Sequence, residues 1–218
     1  MEQNKSVNFW KGMNLAGTAI MVNLAFLICC IPVVTIGPAF CGMYSALRYM
    51  VRGDGWFNGF NEGFKKNIVR NILVGSVLLI MIVDMALNFD RALGFFLAEG
   101  NNIPLIIYSV GLAPLLMVFT ALWPLHVFVP YENGTDWLKD ALKLLVKAPI
   151  QLLIVSVLLL LPVALLLYIP EILLMLLIVF VGIYYVVAAF AGIMLMKHPL
   201  EDRLGDYRES HPQDEEEE

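Results

Sequence analysis

The sequence predicts an all-α polytopic membrane bundle of about six transmembrane helices, with two amphipathic helices on its cytoplasmic surface. Three observations carry that prediction. Of 218 residues, 60% are hydrophobic and only 15% charged, against roughly 45–50% and about 25% in soluble domains; so much apolar surface requires lipid. Several apolar runs reach the ~20 residues that a helix needs to cross a ~30 Å hydrocarbon core at 1.5 Å per residue. Lysine and arginine cluster between alternate runs, as the positive-inside bias demands. The net charge of -5 is set by the acidic run 214–218, and no nucleic-acid partner is expected.

Runs 13–31, 68–88 and 103–129 each suit one crossing. No A-x-A-like cleavage site follows the first, so it is not read as a signal peptide. Run 148–196 is too long for one span and is interrupted at Tyr168, Ile169, Pro170 and Glu171, so it reads as a hairpin of two helices. Segment 38–51 rises only ~21 Å, and charge decides its reading. All of the 14 Lys and Arg residues but Arg91 reach the cytoplasmic face only if 13–51 goes out and returns. The outer turn is then built on Pro32, Thr35, Gly37 and Pro38, with glycine expected at positive φ at Gly37. Both termini are expected in the cytoplasm, at the cell membrane. A five-span arrangement with an external N-terminus would strand Lys5 and Lys11 outside.

Two segments between the spans read as surface helices. In the first, Trp56, Phe57, Phe60, Phe64 and Ile68 recur at helical spacing. In the second, Trp137, Leu138, Ala141, Leu142 and Leu145 form an apolar stripe, while Lys139, Lys143 and Lys147 form a basic one. Such helices lie beside anionic lipid. The segments align at an offset of 81, with Gly53 on Gly134, Trp56 on Trp137 and Lys66 on Lys147. A parallel repeat of 38–90 and 119–171, about an axis along the membrane normal, is one reading of that match and chance is the other. Residues 1–197 form one integral-membrane domain, and 198–218 an acidic tail expected to be disordered.

No residue pattern marks catalysis. Asp84 and His126 fall at opposite depths, so interfacial solvation or a local hydrogen bond is expected of each rather than a proton pair. Glu171 follows Pro170 at a helix start, where the dipole favours an acid. Cys29, Cys30 and Cys41 have neither disulfide nor zinc spacing and read as buried, inert thiols. There is no HExxH, GxSxG or phosphate-binding loop, so no catalytic residue, cofactor or metal ligand is assigned. Nine of the eleven prolines lie in or beside spans. Broken helices of this kind serve transporters, and they are also tolerated structurally; both readings stay open.

The stretch 23–44, with the core Ile31, Pro32, Val33, Val34, Thr35, Ile36, Gly37, Pro38, Ala39, resembles the N-terminal signature of the YesL family of bacterial membrane proteins, catalogued as a domain of unknown function. Arg52, Gly53, Asp54, Gly55 and Tyr131, Glu132, Asn133, Gly134 fit it too, and the resemblance runs over about residues 11–203. Members are typically encoded beside carbohydrate ABC importers. The resemblance therefore implies a non-enzymatic accessory or assembly subunit of such an importer, with its permease or ATPase subunits as partners. A small-solute transporter or channel in its own right is the alternative. Trp56, Phe60, Trp137, Leu138, Lys139, Lys143 and Lys147 are the expected partner or lipid surface, with Trp137 as a docking anchor.

Overall fold

Within the described residues the apolar runs are helical, and several of the helices end at a residue that leaves the helical conformation. The computed structural model describes residues 2–129, 131, 134–168, 184–196 and 201, and among them all regular structure is helical. Helix α1, Glu2–Cys30, leads through a single 3-10 turn at Val33–Thr35 into α2, Ile36–Arg52. Helices α3, Trp56–Lys65, α4, Ile68–Glu99, and α5, Ile103–Phe128, follow. Helix α6, Gly134–Lys147, α7, Pro149–Tyr168, and α8, Tyr185–Leu195, complete the described set.

The turns have identifiable causes. Gly53 takes φ 87° after α2, and its N–H bonds to Met50 O, a left-handed cap that glycine adopts without steric cost. Gly100 does the same after α4 at φ 69°, its N–H reaching Phe96 O at 2.9 Å. Between α3 and α4, Asn67 takes φ 52°, which asparagine tolerates better than most side chains.

Three expectations are corrected here. Gly37 does not take positive φ; among described glycines only Gly53 and Gly100 do. The reversal after α1 is made instead by extended Pro32 and the 3-10 turn, where the Thr35 hydroxyl lies between the carbonyls of Cys29 and Pro32. Gly37 and Pro38 sit buried in the first turn of α2, where proline's missing N–H leaves no helical bond unmade. Helix α4 runs eleven residues past Asn88, because no proline intervenes before Gly100. Helix α1 likewise begins well before Met13.

By length and composition two described helices, α4 and α5, can cross a bilayer, and a third candidate is the bent pair α6 and α7. The bend is 107°. Pro149 disfavours helical geometry at Ala148, yet Ala148 N–H bonds to Leu144 O at 2.9 Å and Ala148 O accepts Leu152 N–H at 3.1 Å. The chain turns there with those backbone groups still bonded, as a low-dielectric surrounding requires. The interruption at 169–171 and the tail 202–218 lie outside the described residues.

The chain divides into two units. In the first, residues 1–72 and 157–192, α2 is the enclosed element: Gly37 to Leu47 are all buried. Phe26 of α1 meets Phe40 edge-on at 5.0 Å and tilts against Tyr185 at 5.2 Å. Asn23 Oδ1 accepts the Tyr185 backbone N–H at 3.1 Å, and the Tyr184 hydroxyl donates to Leu158 O. In the second, residues 73–156 and 193–218, the half of α5 from Val118 to Val127 is buried. Trp123, Trp137, Leu144 and Leu152 are its largest enclosed side chains, with Leu122 and Leu125. The first residues of α4 and α7, Ile68 and Pro149, are separated by the same 81 positions as Trp56 and Trp137.

Candidate functional site

Two helical corners hold the polar and aromatic groups on which the sequence reading concentrated. In the first unit, Gly53 turns α3 back onto α2. Cys41, Ser45 and Tyr49 recur every four residues on α2 and so form one ridge; Gly59 and Gly63 recur every four on α3 and form the groove that receives it. The fit is close: a Cβ on Gly63 would lie 2.5 Å from Cys41 O, and one on Gly59 would lie 2.6 Å from Tyr49 Cγ. Gly42 in turn leaves room for the Phe60 ring, which a Cβ there would meet at 3.1 Å. The Tyr49 hydroxyl donates to the Glu62 carboxylate across the hairpin. Asn71, fully buried in the first turn of α4, donates to Lys66 O at 2.8 Å and approaches Cys41 Sγ at 3.5 Å. Its carbonyl oxygen, and the buried Tyr44 hydroxyl, have no hydrogen-bond partner among the described residues.

The second unit builds its corner by filling rather than by close approach. Trp137 of α6 is 1% exposed, and its indole N–H donates to Leu122 O at 2.6 Å. Its ring lies 4.9 Å from the buried His126 ring and 5.9 Å from Trp123. The Thr120 and Ser156 hydroxyls pair at 2.9 Å between α5 and α7, beside Pro124, which lacks the N–H that Thr120 O would otherwise accept. Tyr131 donates to Asp140 at 3.2 Å.

Helix α6 thus has three faces. Trp137, Ala141 and Leu144 are buried, Leu138, Leu142 and Val146 are exposed, and Lys139, Lys143 and Lys147 are exposed beside them. Asp136 pairs with Lys139 at 2.9 Å and Asp140 with Lys143 at 3.1 Å.

The structure therefore splits the expected surface. Leu138 and the three lysines face outward, Trp56 is half-buried, and Trp137 and Phe60 point into the protein. Phe57, left out of that set, is 65% exposed. Asp84 is exposed on α4, its backbone oxygen accepting from Asn88 at 2.9 Å, whereas His126 is buried against Trp137. Cys41 is buried; Cys29 and Cys30 are half-buried, and all three are free. Glu171 lies outside the described residues. Among the described residues no three His, Cys, Asp or Glu side chains are grouped to hold a metal. Gly59, Gly63 and Asn71 were missed in the sequence, although the small-xxx-small spacing of Gly59 and Gly63 was there to read.

A family model described as "Protein of unknown function, DUF624" matches residues 19–89, about a third of the chain. The matched stretch contains the whole α2–α3 hairpin and the first turn of α4, including Gly59, Gly63 and Asn71. No curated protein and no solved structure matches the chain.

Proposed function

We propose that this protein is a non-enzymatic membrane accessory or assembly subunit of an ABC-type carbohydrate importer, crossing the cell membrane six times with both termini in the cytoplasm. The resemblance to the YesL family supports the importer, and the match to an uncharacterised family is compatible with it. The charge distribution supports the topology. The observation that carries a docking role is the outward face of α3. Its inward residues are consumed in packing on α2, yet Phe57 stays 65% exposed, edge-on to half-buried Trp56 at 5.6 Å. Asn58 and Asn61, uncharged and exposed, flank the pair. Aromatic anchors ringed by neutral polar groups are typical of protein contacts. With no nucleotide-binding motif in the chain, a partner subunit would hydrolyse the ATP.

Affinity purification of the tagged protein from native membranes, followed by mass spectrometry, tests the proposal. Importer permease or ATPase subunits are expected with the parent, and a loss of about tenfold or more with Phe57→Ala, the scale of a hot-spot truncation. Recovery of no importer subunit with the parent would overturn it. A second reading, a small-solute transporter or channel, is favoured by the buried Tyr44 hydroxyl and Asn71 carbonyl, since unpartnered polar groups inside a helical bundle suit a polar solute.

A further inference from the structure

We infer that the lysine face of α6 binds the phosphate headgroups of anionic phospholipid in the bilayer that holds the protein. The inference shares the membrane reading of α7 with the proposed function and does not depend on an importer. With α7 crossing the bilayer, the 107° turn at Ala148 brings α6 close to the membrane plane. A helix in that position meets three surroundings at once, and α6 has three faces to match. Trp137, Ala141 and Leu144 are buried in the protein. Leu138, Leu142 and Val146, the last 81% exposed, suit the acyl boundary. Lys139, Lys143 and Lys147 lie beside that apolar stripe, so their stems can follow it while the ammonium groups reach the headgroups.

Charge complementarity selects the occupant. Asp136 and Asp140 pair with Lys139 and Lys143, but the two lysine side chains are 65% and 58% exposed. Asp136 is itself 46% exposed, and exposed pairs of this kind hold weakly, so a phosphate can compete for Lys139. Asp140, 13% exposed and bonded to Tyr131, holds Lys143 more firmly. Lys147 has no carboxylate in ion-pair reach among the described residues. Helix α3 provides the internal contrast. It lies at the same offset in the first unit, but its exposed positions carry Phe57, Asn58, Asn61, Glu62 and Lys65 and form no basic stripe. The anionic preference is therefore a property of α6.

The test reconstitutes the full-length protein in phosphatidylcholine vesicles containing a trace of photoactivatable phosphatidylglycerol or, in parallel, photoactivatable phosphatidylcholine with the same chains. Cross-links to α6 are mapped by mass spectrometry, and the ratio of the two yields is read. The parent is expected to favour phosphatidylglycerol at α6 by about tenfold or more at low salt, and less as salt screens the contact. Lys147→Gln lowers the ratio about fivefold, the effect of one charge near an anionic surface. The triple variant K139Q/K143Q/K147Q brings it to near one, the triple arginine variant retains it, and Asp136→Asn raises it by freeing Lys139. A parental ratio in the triple glutamine variant, or a ratio near one in the triple arginine variant, overturns the inference. So does a parent whose α6 cross-links to the two lipids equally at low salt. Should the glutamine variant fail to assemble, an unchanged ratio in Asp136→Asn overturns it instead.

Discussion

Gly63 shows how much one missing Cβ decides. Its place would be taken by the carbonyl of Cys41 at 2.5 Å, and a backbone group cannot rotate aside as a side chain does. Gly63→Ala is therefore expected to destabilise the protein by about 1–3 kcal/mol, the usual range for overpacking, in denaturant titrations of the detergent-solubilised protein. Gly94→Ala, on α4 with nothing within 4 Å of the new Cβ, is the control and should be neutral or stabilising by about 0.5–1 kcal/mol. Trp137→Phe keeps most of the buried volume but loses the 2.6 Å indole bond to Leu122 O, an oxygen that inside α5 is also placed to accept the His126 N–H. It should therefore cost about 0.5–1.5 kcal/mol, the net worth of one hydrogen bond. Trp137→Ala should cost about 3–5 kcal/mol. Both effects should appear as unfolding rather than as lost partner binding with intact assembly. That Trp137 lies on the apolar stripe of α6 was legible in its spacing. Its inward direction was not, because an apolar stripe on an interfacial helix fits lipid and a neighbouring helix equally well.

At the scale of elements, the α2–α3 hairpin depends on the left-handed cap at Gly53. A Cβ there meets nothing within 4 Å, yet φ is 87°, so the penalty comes from the backbone alone. Gly53→Val is expected to cost about 1–2 kcal/mol and Gly53→Asn less, since asparagine tolerates this region; stability measured in the same titration checks the order. In lipid the hydrophobic effect does not draw helices together, so van der Waals fit and interhelical hydrogen bonds decide which faces meet. The two corners meet that demand differently: Gly59 and Gly63 let α3 touch α2, whereas Trp137 fills the space between α6 and α5. The lysine stripe of α6 could be read from its spacing of four. The eleven additional residues of α4 could not, because charged Asp90 and Arg91 marked a span's end in the hydropathy but do not break a helix.

For the whole molecule, topology is the prediction on which the proposed function rests. In a version lacking Cys29, Cys30 and Cys41, an impermeant thiol reagent added outside cells should label a cysteine at Asn101 and spare cysteines at Asn58 and Lys139. Labelling at Asn58 from outside would discard the six-span arrangement. By itself the sequence determined that the protein is helical and membrane-like, where most of its helices lie, and that α3 and α6 are amphipathic. Those properties follow from composition, run length and charge order, which are one-dimensional. Only the tertiary structure decided that Gly37 is buried within a helix rather than placed in the turn, that Trp137 and Phe60 face inward while Phe57 faces out, and that Asn71 joins the start of α4 to the end of α3 beside Cys41 of α2. Each of those outcomes depends on the shape of a second helix brought alongside, and hydropathy carries no record of which neighbour a face will meet.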